Sequence, residues 1–192
     1  MKINLAKTRV IIKSQKFGPN TTYMVLGILS FGQELCGYAI RQWALNSLKY
    51  FYGAPAQSQI YKELTRLERG GMVSSRMVEQ KDKPAKKSYN ITKAGLAELR
   101  RWLEHAPIDP VTYKNPAALR MFLGHMVSPE RMREILLEHR RQVDLALAEL
   151  EANQVALAQD QKAVFAAQSL AWAMGVQRAD MVATNNALSD KK

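Results

Sequence analysis

At 192 residues, 47% hydrophobic and 23% charged, the chain has the balance of a folded protein and the length for one medium core or two small ones. Its apolar runs fall far short of the ~20 residues of a membrane span and no signal peptide is evident. One cysteine and three histidines exclude an internal disulfide and a thiolate zinc cluster, so the expectation is a cytoplasmic chain with no membrane partner, metal or other cofactor. Residues 1–105 carry 18 Lys and Arg against 7 Asp and Glu, a net of +11, whereas residues 106–192 carry ten of each. That asymmetry predicts one module that meets a polyanion and another that does something else.

The first segment, 1–19, is a basic arm with Lys2, Lys7, Arg9, Lys13 and Lys16 around a small apolar patch, Val10 to Ile12. Such an arm can track a phosphate backbone, dock on a partner subunit or simply fray. Asn20 or Thr21 then caps a first helix from Thr22 to about Ser30. A second helix is predicted from Tyr38 to about Tyr52, with Ile40, Trp43, Ala44, Leu48 and Phe51 on its buried side.

The stretch Ser58 to Thr92 organises the rest. Ile60, Leu64 and Leu67 fall at i, i+4 and i+7 and make one narrow apolar face. The opposite face carries Ser58, Lys62, Thr65 and Arg69, with Gln59 and Arg66 on one shoulder and Tyr61 on the other. Pro55 and Ser58 offer a start and Gly70-Gly71 a stop. Met72 to Val78 has strand composition, and Ser88 to Ile91 can pair back with it across a lysine-rich turn at 81–87. A polar, basic helix followed by such a hairpin suits a winged helix-turn-helix: the helix presents side chains to base edges and the wing brings ammonium groups to phosphates. An anionic membrane would want a basic amphipathic helix instead, so double-stranded DNA is the expected partner. A solvated helix beside an ordinary hairpin is the plainer alternative.

Thr92 caps a fourth helix, Lys93 to about His105, and the three prolines of 106–117 mark a linker. Ser128-Pro129-Glu130 opens a long helix whose Met132, Leu136, His139, Val143, Ala146, Leu150, Asn153 and Leu157 alternate at spacings of four and three. This seam can pair with a second copy or fold on the last helix, about Gln161 to Ala187. Leu136, His139, Val143, Leu150, Leu157 and Trp172 are the expected dimer residues. Phe165 and Trp172, seven apart, can hold a flat aromatic effector or merely pack at an interface. No nucleophile with a base, paired carboxylates or phosphate loop appears, so no catalytic residue is expected. Cys36 beside a helix start is a candidate redox thiol at most.

Gly37-Tyr38, the run Ser58 to Glu68, Gly71-Met72-Val73 and Tyr89 to Gly95 together resemble the PadR-like transcriptional regulators. Ala118 to Gly124, then Ser128-Pro129-Glu130 and one long helix, resemble the C-terminal domain of that family's longer members, including virulence-gene activators. The resemblance covers roughly residues 20 to 160 of the chain. Where many members have proline after the helix tyrosine, this chain has Lys62, so no effector is carried over from the phenolic-acid and multidrug sensors. The resemblance implies a homodimer on a pseudo-palindromic operator, with Gln59, Tyr61 and Lys62 at the groove and Lys83, Lys86 and Lys87 on the wing. Gln59 is the expected base reader, because an amide can bond adenine bidentately. The fold expected is mainly α with a small β-hairpin wing: a winged helix-turn-helix over 20–105, then an antiparallel helical dimerisation domain over 118–188. A sequence-specific transcriptional regulator, more readily a repressor, is the function these features imply. The alternative is an architectural or partition protein that binds DNA without sequence preference.

Overall fold

The computed structural model describes residues 18–80, 83–157 and 164–189. It divides into two compact units, one of residues up to Arg41 with Pro55–Ile108, the other of Gln42–Ala54 with residues from Asp109 onward. Residues 1–17 of the basic arm lie outside the described residues, as do the side chains of Lys83 and Leu157.

In the first unit, helix α1 (Asn20–Leu29) buries Val25, Leu26, Ile28 and Leu29. It starts behind an extended Pro19 with no side-chain cap, so neither Asn20 nor Thr21 plays that part. A two-residue strand β1 (Leu35–Cys36), which the sequence did not announce, leads into α2 (Gly37–Ser47). The next helix, α3 (Gln57–Arg69), buries Ile60, Leu64 and Leu67 almost completely, as their spacing predicts. Each such side chain is worth about 1.5–3 kcal/mol of transfer free energy. Helix α3 ends in a Schellman turn: Gly71 takes a φ of +68°, its N–H bonds the Glu68 carbonyl, and the Met72 N–H reaches Leu67.

Strands β2 (Val73–Gln80) and β3 (Lys83–Ile91) pair antiparallel, and β1 joins the far edge of β3, giving the order β1-β3-β2. The hairpin is longer than expected. Pairing runs from Val73↔Ile91 to Val78↔Lys86 and Gln80↔Lys83, so most of the supposed turn is strand. Lysine is tolerated there because alternate residues of a two-stranded ribbon can reach solvent. Thr92 then caps α4 (Lys93–His105): its hydroxyl accepts from the Gly95 N–H at 3.1 Å and donates to the Gly71 carbonyl at 2.7 Å. Gly95 is where α4 meets the α3–β2 turn. A Cβ there would stand 2.1 Å from the Met72 carbonyl oxygen, which only glycine permits. Tyr23 and Trp102 stack at 4.5 Å between α1 and α4.

In the second unit, Asn115 caps α5 (Pro116–Phe122) through its side-chain oxygen to the N–H groups of Ala117 and Ala118. A single 3-10 turn (Gly124–Met126) and the Ser128 cap precede α6 (Pro129–Leu157), which forms an antiparallel hairpin with α7 (Val164–Ser189). Leu150, Leu170, Ala173 and Met174 make its apolar cluster, on which Tyr50, Phe51 and Leu147 also pack. That packing is why residues 42–54, expected to belong wholly to the N-terminal module, group with this unit. It also explains why α2 stops at Ser47 rather than Tyr52: the chain turns through Gly53, whose φ is +94°. No described helix is long and apolar enough to cross a membrane, and no described cluster of His, Cys, Asp and Glu could hold a metal ion.

Candidate nucleic-acid interface

The face of α3 opposite its buried triad is exposed at Ser58, Gln59, Tyr61, Lys62, Thr65, Arg66 and Arg69, but these side chains are not equally free. Lys62 and Arg69 have no ion pair among the described residues. Thr65 donates its hydroxyl to the Tyr61 carbonyl one turn back, at 3.0 Å. The helix begins at Gln57 rather than Ser58, with Ala56 at the cap position. Gln59 repairs the missing cap by accepting the Ala56 N–H at 3.0 Å. Bidentate contact with adenine needs that same amide oxygen, so Gln59 must release its cap bond to read a base in that way. The Tyr61 ring lies against the start of α2, where a Cβ on Gly37 would come within 2.5 Å of it. Gly37 is therefore the seat of Tyr61.

Arg66 is the most engaged of these side chains. Its guanidinium bonds both Glu63 oxygens, at 2.6 to 3.1 Å, and the Thr22 hydroxyl oxygen at 2.9 Å. Thr22 in turn donates to Glu63 at 2.7 Å. Burial pushes the Glu63 carboxyl up, yet the bonds from Arg66 and Thr22 outweigh it and hold the group below its ordinary range. Arg66 thus clamps α3 to α1. The sequence pattern missed Glu63 because its partner on α1 lies 41 residues away.

On the wing, Lys86 and Lys87 fall on opposite faces of β3. Lys86 is exposed without an ion pair among the described residues. Lys87 sits 2.7 Å from Glu68 of α3, whose other oxygen accepts from Ser75 of β2. Arg76 makes a two-pronged bond to Glu34, at 2.6 to 3.0 Å, on the other side of the hairpin. Each carboxyl is held below its usual range first by the basic partner that bonds it. Of the six described cations on α3 and the wing, Lys62, Arg69 and Lys86 therefore carry no ion pair among the described residues.

The geometry has counterparts among known proteins. The model of the transcriptional regulator PadR-like family matches residues 25–101. The negative transcriptional regulator PadR of Bacillus subtilis (strain 168) is 33% identical over 132 residues, 68% of this chain and 71% of that one. The chain belongs to the PadR-like family. Two solved structures of Bacillus subtilis PadR, each 24% identical, share the fold: one in complex with operator DNA (TM-score 0.76, 89% of this chain and 98% of that chain), one with p-coumaric acid (TM-score 0.68, 88% and 96%). This is a family of DNA-binding transcriptional regulators, not enzymes.

In this PadR-like chain the seam of α6 is used internally. Leu136, Val143 and Leu150, each seven apart, are at most 4% exposed within a single chain. His139 bonds Asp180 of α7 at 3.0 Å, and Asn153 bonds the Asn46 carbonyl at 2.8 Å. The period was real, but its partner is α7. Phe165 and Trp172 are instead 80% and 58% exposed, on a face of α7 that also shows Gly175, Ala179 and Val182. They do not line the second unit's cleft of about 500 Å³, whose walls include Lys49, Tyr50, Tyr113, Lys114, His139 and Asp180. The Tyr50 hydroxyl is buried without a hydrogen-bond partner among the described residues.

Proposed function

We propose that this PadR-like regulator is a sequence-specific repressor that acts in the cytoplasm as a homodimer on a pseudo-palindromic operator. The observation that carries the reading is the exposed face of α3, with Lys62 and Arg69 unpaired among the described residues, beside a basic hairpin fixed to the same helix. Gln59, Tyr61 and Ser58 would meet base edges or backbone at the start of α3, Lys62, Thr65 and Arg69 the flanking phosphates, and Lys83 and Lys86 the backbone under the wing. The second copy would cover the exposed α7 face of Phe165, Trp172 and Val182, whose small residues allow close helix approach. A second unit built of α5 and a long helical hairpin fits the longer, virulence-activator-like branch.

A small aromatic acid is the effector that the cleft suits. Lys114 offers positive charge, and Tyr50 and Tyr113 offer flat walls. The placement at the cleft replaces Phe165 and Trp172 as the ligand's seat.

The test combines sedimentation of the purified chain, footprinting on genomic fragments and transcription from the promoters so found. A dimer mass, a protected inverted repeat and falling transcript would sustain the proposal. Salt-sensitive coating of all fragments alike would favour the architectural alternative.

A further inference from the structure

We infer that Glu68 is a specificity-determining residue, which withholds the Lys87 ammonium from the phosphate backbone while tying both wing strands to the last turn of α3. The inference rests on the DNA-binding reading of α3 and the wing and deepens it.

An acid is misplaced in the last turn of a helix, where the backbone carbonyls already present negative charge. Glu68 has a different occupation. One carboxylate oxygen accepts from Ser75 on β2, and the other takes the Lys87 ammonium on β3 at 2.7 Å. The register places Ser75 opposite Tyr89 and Met77 opposite Lys87, so Ser75 and Lys87 share the hairpin face turned to α3. Lys87 also stands 5.4 Å from the centre of the Tyr89 ring, which gives its charge a second neighbour inside the protein. Lys86, one residue earlier, points the other way and is exposed without an ion pair among the described residues.

This arrangement separates two quantities that a bare lysine would confuse. Affinity for random duplex follows the number of free cations, because each phosphate contact releases counterions. Discrimination follows how rigidly the reading helix is held against the wing. A Lys87 that must leave Glu68 to reach a phosphate adds little to random binding. Its ion pair meanwhile fixes the wing relative to α3.

The experiment measures random-duplex affinity across salt for the wild type, Glu68→Gln and Glu68→Gln/Lys87→Gln, and repeats the series on a duplex enriched by selection. Glutamine keeps the size of the side chain and can still accept from Ser75. Freeing Lys87 should steepen the slope of log affinity on log salt by about 0.9 per winged helix, an extra loss of about 3.5-fold between 50 and 200 mM salt. The double variant should return to the wild-type slope, and the ratio of selected to random affinity should fall in the single variant. Ser75→Ala, which loosens the tie without changing charge, should lower that ratio and leave the slope in place. An unchanged slope in Glu68→Gln overturns the inference. So does an equally steep slope in the double variant, since deletion of a negative charge would then explain everything. A wild type that binds no duplex would instead refute the DNA-binding reading beneath it.

Discussion

Replacing Arg66 by methionine should destabilise the winged helix and leave base selection unchanged. Glu63 is 7% exposed and would keep only the Thr22 hydroxyl as a partner. Breaking a fully buried ion pair from one side costs about 3–5 kcal/mol. The Arg66 side chain is 49% exposed, however, so solvent already screens the pair. A loss of about 1.5–2.5 kcal/mol is therefore expected, most of it from the stranded carboxylate. The sign of the pH dependence follows from Glu63. In the wild type it titrates below its ordinary value of 4.5, burial's upward push being outweighed by Arg66 and Thr22. Its stabilising contribution is complete above that value and is lost as pH falls through the lower folded one. In the variant the carboxyl has lost its cation, takes a proton sooner and ceases to be a buried charge. Urea midpoints should thus show a steady penalty from about pH 8 to 6 that shrinks towards about pH 4. A penalty under ~0.5 kcal/mol at neutral pH, or one indifferent to pH, would refute the clamp. A changed base preference in the folded variant would restore Arg66 to the groove.

Other positions test other parts of the account. Gly95→Ala forces a methyl group against the Met72 carbonyl and should cost about 3 kcal/mol, near the upper end for overpacking, in denaturant unfolding. Thr92→Ala removes a helix cap and should cost about 1 kcal/mol by the same assay. Gln59→Ala should do two things: lower stability by about 0.5–1 kcal/mol through the lost bond to Ala56, and relax preference at one base-pair position in a selection experiment. Tyr50→Phe removes a buried hydroxyl without a partner. It should leave the protein as stable or up to about 1 kcal/mol more so in denaturant unfolding.

What the sequence revealed was what local spacing decides. The Ile60, Leu64 and Leu67 face, the Gly70-Gly71 stop and the Thr92 cap each depend on residues within one or two turns, and each stands where it was expected. What it concealed depends on distant neighbours. Arg66 looks free on the helix shoulder until Thr22 and Glu63 are brought beside it, and Lys87 looks free on the wing until Glu68 is. Strand β1 has only two residues, too few for an alternation to show, and exists because Tyr89 and Ser88 offer it an edge. The heptad-like spacing of α6 was legible, but a period specifies a face and not its partner. Here α7 of the same chain covers Leu136, Val143 and Leu150. Gly95, counted from sequence as a mild cost to its helix, is required by a carbonyl that comes from another element.

The most direct test of the central claim is selection of random duplexes by the purified full chain, followed by sequencing of the bound pool. The account predicts one enriched inverted repeat, its half-sites about one helical turn apart as two copies of α3 require, lost from the pool when Lys62 and Arg69 are both replaced by alanine. Tight, salt-sensitive binding with no enriched sequence would contradict it.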